Sequence, residues 1–494
     1  MLDMKNTHFR LVLLFLLGVC SPANSVSEFE QWRQQQQQSF QQYRDERDRE
    51  FTVFLQEHWR EIELIKGFVR DDRPKPLVIP VAKPEPVRPI AEPEPETRPV
   101  EKTVKPLPLT AVPDVVVPLK PLPVPTEERK GLRVQVNYFG TPITFYYDPA
   151  LRKSLPNRIN ASAISEFWSG LSKTGYEPLL QQLNRQKTAL RLNDWGYAVL
   201  LHKLAEQLYP SSGNRQVLLT WFMMAKSGYS SRIAFDDHNV YLLVPSIHRI
   251  YDVTYFTFDN ERYYAVNFDA DPARPGKVYT YDGHYPGAVN KMDMTIRTSA
   301  TKTPGAQSRL LSFEFGGRLY EIEAGYDKAY VDFLDTYPQL DLEVYFESEV
   351  AESAESPLLQ QLAKEIEGMS ELEAVNFLLR FVQTSLQYKT DERQFGRENY
   401  LFPEETIYYD YSDCEDRSVL FAWLIKRLLG MEVVGLNYPG HVATAVHIMQ
   451  NEEGDYVTYN GKRYTVTDPT YINATAGMTM PEFRNTRPDV IPIN

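Results

Sequence analysis

Proline is concentrated in one stretch of this 494-residue chain, and it limits what that stretch can fold into. Sixteen of the 35 prolines lie between Pro74 and Pro125. Because proline fixes φ and removes a backbone donor, this stretch cannot be a packed domain. We predict a proline-rich linker over residues 71–130, either an extended polyproline II spacer that holds a globular head away from an anchor or a disordered linker. The remainder, residues 131–494, is long enough for two hydrophobic cores.

The first 25 residues have the pattern of a secretory signal peptide. Lys5 and Arg10 supply positive charge around the start of an apolar run over residues 11–19, and small residues follow at 23–25. The run is too short for a membrane-spanning helix, and no later stretch has the ~18 apolar residues that a span needs. We therefore expect a periplasmic or secreted bacterial protein without a transmembrane segment after signal removal. A lipid anchor at Cys20 is the alternative.

Between the signal and the linker, residues 26–70 are polar, rich in glutamine and prone to form a helix. Large apolar residues recur with a period of 11, which places them on one stripe of a helix. The residues of this stripe are Phe29, Trp32, Phe40, Tyr43, Phe51, Phe54, Ile62 and Ile65. The pattern predicts either a coiled coil through which chains self-associate or one amphipathic helix that lies on the chain's own domain or on a partner.

Charge and cysteine content exclude two classes of protein. The formal net charge is −13 and there is no cluster of basic residues, which argues against a nucleic-acid-binding surface. Two cysteines, Cys20 and Cys414, cannot form a disulfide framework. Once the signal is removed, Cys414 is the remaining thiol, and an unpaired cysteine in an oxidising compartment calls for a functional explanation.

Residues after the linker contain the same pattern twice. The peptide Pro-Leu-Leu-Gln-Gln-Leu occurs at Pro178–Leu183 and at Pro357–Leu362, where it opens a helical pattern in each copy. Further along, Tyr209–Trp221 aligns without a gap with Tyr411–Trp423. Each copy opens with a hairpin signal, around Phe139-Gly140 and Phe315-Gly316, and continues into strand-rich sequence. The repetition predicts an α+β fold built from two tandem modules.

The candidate catalytic residues are concentrated in the second copy, and the first of them is Cys414. The helical spacing of apolar residues after it, together with Ser412 or Asp413 as a cap, places Cys414 at the first turn of a helix that ends at Gly430. The partial positive charge of a helix N-terminus is expected to lower the pKa of the thiol. The same unpaired N–H groups can bind an oxyanion.

A thiolate nucleophile needs a base that is oriented by a third group. His441 follows the helix on a strand, and Asp468 lies at the end of the next strand, where its carboxylate can accept a hydrogen bond from a histidine. His447, on the same strand face, is an alternative base. We predict a Cys414, His441 and Asp468 triad, with the sulfur and an imidazole nitrogen within about 4 Å of each other.

Three motifs in this order resemble the transglutaminase-like superfamily of papain-type cysteine enzymes. They are Asp413-Cys414-Glu415-Asp416, Gly440-His441 and Asp468-Pro469-Thr470, and the resemblance covers residues 356–475. It implies that Cys414 is the nucleophile, His441 the general base and acid, and Asp468 the residue that orients the histidine. This sequence has His-Val-Ala where the family usually has an aromatic residue soon after the histidine.

The resemblance implies acyl transfer from a protein or peptide amide. Secreted bacterial relatives with this motif are often proteases or amidases, so we expect hydrolysis, with a cross-linking transglutaminase or a non-enzymatic scaffold as alternatives. Some relatives bind Ca²⁺ near the nucleophile, which makes Glu415 and Asp416 candidate calcium ligands. They are otherwise acidic residues that favour the helix dipole. No other cofactor is expected.

The first copy lacks the same residues. Ser212 takes the position of Cys414, Asn239 falls opposite His441 with His238 beside it, and Asn267 falls opposite Asp468. We predict that this copy is degenerate. The predicted organisation is a signal peptide, a helix, a proline-rich linker, a degenerate module and a catalytic module, at residues 1–25, 26–70, 71–130, 131–299 and 300–494.

Overall fold

A computed structural model of the chain gives a mixed fold of helices and antiparallel sheets, which confirms the α+β class. The described residues are 22–62, 67, 75, 77, 79–82, 103–107, 121–126, 129–268, 277–297, 307–350, 352–449 and 453–493. Cys20 and most of the predicted signal peptide lie outside them. Among the described helices, none has both the length and the hydrophobicity that a membrane crossing requires.

The chain begins with helix α1 (Pro22–Glu57) and strand β1 (Trp59–Ile62). The described elements between residues 131 and 299 are β2 (Leu132–Tyr138), β3 (Thr141–Tyr147), α2 (Ala161–Ser172), α3 (Glu177–Ala189), α4 (Asp194–Leu208), α5 (Gly213–Lys226), β4 (Arg232–Phe235), β5 (Val240–Pro245), β6 (Tyr255–Phe258), β7 (Glu261–Val266) and β8 (Val278–Tyr281).

The described elements after residue 300 begin with a long hairpin and end with a sheet. They are β9 (Gln307–Phe315), β10 (Arg318–Tyr326), α6 (Lys328–Leu334), α7 (Leu342–Phe346), α8 (Glu352–Ile366), α9 (Glu371–Ser385), β11 (Gln387–Tyr388), α10 (Asp391–Phe395), α11 (Pro403–Tyr408), β12 (Tyr411–Ser412), α12 (Cys414–Leu424), β13 (Val433–Tyr438), β14 (His441–Val446), β15 (Tyr456–Tyr459), β16 (Lys462–Thr467) and β17 (Asp489–Pro492).

Two antiparallel sheets form the centres of these regions. The first has the strand order β1-β8-β4-β5-β7-β6, and the second has the order β15-β16-β14-β13-β17. In each sheet, two successive hairpins supply four strands in one arrangement, β4-β5-β7-β6 and β13-β14-β16-β15, and a later strand pairs with the outer side of β4 or β13.

One continuous hydrophobic core joins the two regions. At their boundary, Trp195 Nε1 donates to Thr336 Oγ1 at 3.0 Å, and Asn193 Nδ2 donates to Tyr337 Oη at 2.6 Å. Asn193 also caps α4, since its side-chain oxygen accepts from Gly196 N–H at 2.9 Å. The regions are therefore packed together through buried aromatic and capping residues.

The C-terminal half of α1 lies on the chain's own folded part. Phe51 is buried and packs edge-on against Trp168 of α2, with ring centroids 4.8 Å apart. Asp48 forms an ion pair with Lys226 of α5, and β1 then joins the first sheet beside β8. This half follows the second alternative predicted for residues 26–70. The N-terminal half leaves its stripe residues exposed, namely Phe29, Trp32, Phe40 and Tyr43.

Described residues of the proline-rich linker also lie against the folded part. Val104 N–H donates to Met369 O at 2.7 Å, and Leu107 N–H donates to Leu428 O at 2.9 Å. The prediction of a spacer that holds the head away from an anchor is wrong for these residues. Backbone N–H groups remain at the non-proline positions, and here they pair with carbonyls at the ends of helices instead of with water.

Candidate functional site

Cys414 is the first residue of α12, as predicted from the sequence. Asp413 precedes the helix, and its N–H donates to Asp416 Oδ2 at 3.0 Å, which fixes the entry of the chain into the first turn. Gly430 ends the helical segment in the left-handed conformation, with φ of 61°. The thiol is completely buried.

His441 and Asp468 meet as predicted, because β14 and β16 are neighbours in the second sheet. Thr444 pairs with Thr467 across these strands, which brings the start of β14 close to the residue that follows β16. His441 Nε2 lies 2.9 Å from Asp468 Oδ2. The other oxygen of Asp468 accepts from the N–H groups of Thr470 at 2.9 Å and Tyr471 at 3.1 Å. Asp468 therefore organises its turn and also orients the histidine.

The His441 imidazole is held by ring stacking as well as by the hydrogen bond at Nε2. Its ring stacks on Phe483, with centroids 5.1 Å apart and planes 9° apart. With Nε2 bonded to Asp468, the nitrogen that remains for a proton transfer is Nδ1. That atom is buried and makes no hydrogen bond among the described residues. His447, the alternative base, instead bonds to Arg463 O at 2.8 Å through its Nδ1.

Helix α12, which begins at Cys414, packs on β14, which begins at His441. Ser418, one helical turn after Cys414, donates its hydroxyl to Val442 O at 3.0 Å, next to His441. The thiol itself donates to Glu415 Oε2 at 2.9 Å. No hydrogen bond joins the thiol to the imidazole in the described part of the chain, so the expected nucleophile–base contact is not made in this conformation.

The pKa of the Cys414 thiol is raised, contrary to the expectation from its helix position. Burial is the largest cause, and the carboxylates of Glu415 and Asp413 add to it by disfavouring a nearby thiolate. Lys75 acts in the opposite direction. The prediction of a lowered pKa was wrong because desolvation and two adjacent acids outweigh the helix N-terminus.

Lys75, from the proline-rich linker, lies in the middle of a buried acidic cluster. Its Nζ is 2.6 Å from Glu398 Oε1, 2.7 Å from Asp413 Oδ2 and 3.6 Å from Asp391 Oδ2, and it also contacts Glu415. Burial acts to lower the pKa of Lys75, but the surrounding carboxylates outweigh it and raise that pKa. The ammonium group is therefore the counter-ion of the cluster.

Residues around the thiol match the proposed calcium site only in part. Carboxylate oxygens of Asp391, Glu398 and Glu415 lie close enough to share an ion. The Lys75 ammonium is already bound among them. Asp416, the other candidate ligand, instead accepts two backbone hydrogen bonds, one of them from Leu401 N–H at 2.9 Å. The Lys75 ammonium therefore lies among Asp391, Glu398 and Glu415, while Asp391, Asp413 and Asp416 form a second group of carboxylates whose oxygens lie close together.

Two buried polar residues, Gln383 and Arg417, form hydrogen bonds that hold the elements of the site together. Gln383 Nε2 donates to the carbonyls of Asp468 at 3.1 Å and Tyr471 at 2.8 Å, which ties the Asp468 turn to α9. Arg417 on α12 donates to Gln383 O at 3.3 Å and to Leu386 O at 2.8 Å. Sequence reasoning did not identify either residue, because each is unremarkable within a helical pattern.

At the described positions Ser212, His238 and Asn239, the first region shows no counterpart of the hydrogen bond between His441 and Asp468. Ser212 precedes α5, and Asn239 lies in an exposed turn where its N–H donates to Asp236 Oδ1 at 2.7 Å. His238 is exposed in the same turn. Comparison of the chain with protein-family models, with curated proteins and with solved structures gives no match.

Proposed function

We propose that the chain is a transglutaminase-like cysteine hydrolase, a protease or amidase that cleaves a protein or peptide amide. The observation that carries the proposal is the 2.9 Å contact between His441 Nε2 and Asp468 Oδ2, which leaves His441 Nδ1 buried without a hydrogen bond to any described residue. A neutral imidazole held in this way is suited to take a proton from a thiol.

The proposed reaction needs a small rearrangement at Cys414. When the thiol turns from Glu415 towards His441, its proton passes to Nδ1 and the sulfur attacks the carbonyl carbon of the amide. The imidazolium then donates that proton to the leaving amine as the C–N bond breaks. Water, deprotonated by the same nitrogen, then attacks the thioester carbon. The C–S bond breaks, the acyl group leaves as a carboxylic acid, and the imidazolium returns its proton to the sulfur. Unpaired N–H groups in the first turn of α12 are suited to stabilise the oxyanion.

We further propose that the two halves of the head arose by tandem duplication and that the first is degenerate. The repeated Pro-Leu-Leu-Gln-Gln-Leu peptide lies in α3 and in α8, and the order β4-β5-β7-β6 parallels β13-β14-β16-β15. Ser212 and Asn239 take the positions of the nucleophile and the base, so the first half would serve as a scaffold.

A periplasmic or secreted location remains part of the proposal, supported by the pattern of the first 25 residues.

Self-association through α1 is supported by the exposed aromatic residues of its N-terminal half, of which Trp32 is 56% and Phe40 is 67% exposed. Sedimentation of the wild type and of a Trp32→Ser, Phe40→Ser variant tests this. A dimer that dissociates in the variant is expected, and a monomeric wild type would contradict it.

Labelling with a thiol-directed probe at neutral pH tests the enzymatic proposal. The signal should require Cys414, so Cys414→Ala is the blank, and His441→Ala should lower the rate by about 10²-fold because the base is lost. Asp468→Asn should also lower it. Equal rates in the wild type and in His441→Ala would contradict the proposal.

A non-enzymatic scaffold is the second candidate, and one observation favours it. The thiol is buried and bonded to Glu415 instead of to the imidazole. A scaffold role predicts that the labelling rate of Cys414 does not depend on His441. Transamidation in place of hydrolysis would appear as incorporation of an added amine into the acyl product.

A further inference from the structure

The proline-rich segment that carries Lys75 is bound to the folded part as a peptide ligand would be. Pro80 O accepts from Ile472 N–H at 3.1 Å, and Ala82 N–H donates to Ile472 O at 2.7 Å, so this stretch adds a short parallel pairing to the chain. Ala82 is buried in a small cluster with Tyr471 and Met480. Main-chain pairing combined with side chains in pockets is a common mode of peptide recognition.

The two ends of this segment lie on the two sides of the candidate triad. At one end, Lys75 contacts Asp413 and Glu415, the residues that flank Cys414. At the other end, residues 80–82 pair with Ile472, four residues after Asp468. Lys75 therefore contacts the neighbours of Cys414, and residues 80–82 pair with a residue close to Asp468 in the sequence.

The acidic cluster has features of a binding site for a cation. Its carboxylates converge on one ammonium group, and Asp413 and Glu415 are 0% and 1% exposed, so they are poorly solvated without a cation. The second oxygen of Asp413, Oδ1, is also buried and has no hydrogen-bond partner among the described residues. Three donors on a lysine ammonium suit such a set of acceptors.

We propose that the acidic cluster of Asp391, Glu398, Asp413 and Glu415 is a lysine-binding subsite next to Cys414, and that Lys75 fills it in cis. The inference rests on the proposed function and specifies its substrate class: an extended peptide with a lysine side chain beside the bond to be cleaved. Lys75 and residues 79–82 then hold the enzyme closed, and a substrate binds only after they have left.

Alkylation of Cys414 by iodoacetamide tests whether Lys75 closes the site. In Lys75→Ala the rate should rise about ten-fold or more over the wild type, because loss of the buried ion pairs frees the segment and exposes the thiol. This gain in access should outweigh the loss of a positive charge that lowers the pKa of the thiol. Lys105→Ala is the matched control, because Lys105 is an exposed lysine in the same linker. An unchanged rate in a folded Lys75→Ala protein overturns the proposal. If that variant does not fold, Glu398→Gln, which removes one carboxylate from Lys75, takes its place with the same expected rise.

The ligand class is tested by refilling the space that Lys75→Ala leaves. Propylammonium has the atoms that the substitution removes, so it should slow the alkylation of Cys414, whereas 1-propanol should not. Protection by calcium chloride but not by propylammonium would assign the cluster to a divalent cation and overturn the proposal.

In the same variant an acetyl-lysyl chloromethyl ketone should label Cys414 about ten-fold faster than its norleucyl counterpart, because only the lysyl reagent carries the cation. Equal rates for these two reagents refute the substrate class.

These experiments separate this inference from the proposed function. Closure and ammonium protection depend on access to the thiol and should persist in a Lys75→Ala, His441→Ala protein. Dependence of the alkylation rate on His441, measured with Lys75 in place or removed, reports the proposed function alone.

Discussion

His441 Nε2 lies 2.9 Å from Asp468 Oδ2, and the other oxygen of the same carboxyl is held by two backbone N–H groups. The carboxylate is therefore held in one orientation, and its hydrogen bond occupies one nitrogen of the imidazole. In the proposed reaction the other nitrogen, Nδ1, serves the thiol. Asp468 would then be a positioning residue that acts through His441.

Replacement of Asp468 by asparagine is expected to reduce catalysis more than stability. Asparagine keeps the shape of the side chain but presents an amide that cannot stabilise an imidazolium in the same way, so turnover should fall by about 10²- to 10⁴-fold. The pH dependence of thiol labelling should change with it. A variant that retains wild-type turnover and pH profile would show that Asp468 only forms its turn.

Phe483 is expected to affect the site through ring stacking. Its ring lies 5.1 Å from that of His441, and it is only half-buried, so Phe483→Ala should cost little stability. Loss of the stacking surface should still lower the labelling rate of Cys414 several-fold, because the imidazole becomes less ordered. Phe483→Tyr keeps the aromatic face and is the control. Equal rates in the Ala and Tyr variants would exclude this role.

The acidic cluster should make stability depend on pH. Burial, followed by the charge of Glu415, raises the pKa of Glu398 from 4.5 to about 7. The folded state therefore binds a proton more tightly than the unfolded state, and the free energy of unfolding should decrease as pH rises from about 4.5 to about 7. Denaturation with urea across this range measures it. In Glu398→Gln the decrease should be smaller, and an identical pH dependence would contradict the assignment.

Docking of α1 should contribute substantially to stability. Phe51 is 3% exposed and packs on Trp168, so Phe51→Ala is expected to lower the free energy of unfolding by about 3–5 kcal/mol. Phe40→Ala, on the exposed part of the same stripe, should change it by less than about 0.5 kcal/mol. Equal effects of the two substitutions on urea denaturation would show that α1 is not held by this contact.

Local signals in the sequence predicted the parts of the site that belong to regular elements. Helical spacing after Cys414 and the glycine at 430 gave the limits of the helical segment, and strand alternation around His441 and Asp468 gave two neighbouring strands. The hairpin signal at Phe139 was also confirmed, since Phe139 and Gly140 adopt positive φ in the β2–β3 turn. These features depend on residues that are close in the sequence.

Features that depend on distant contacts were not predicted. Lys75 lies 338 residues before Asp413, and an extended proline-rich segment has no periodicity that would indicate where it binds. The thiol pKa was misjudged for the same reason, because the helix start is visible in the sequence whereas burial and the carboxylates around it are not. The buried roles of Gln383 and Arg417 likewise follow from tertiary packing alone.

Activation of Cys414 by His441 is tested by the pH dependence of Cys414 alkylation. The measurement compares Lys75→Ala, in which we expect the thiol to be accessible, with Lys75→Ala, His441→Ala. We predict that the first protein is alkylated near neutral pH, because the imidazole takes the proton of the thiol, and that the second is alkylated only as the thiol ionises at alkaline pH. Coincident pH profiles for the two proteins would show that His441 does not activate Cys414.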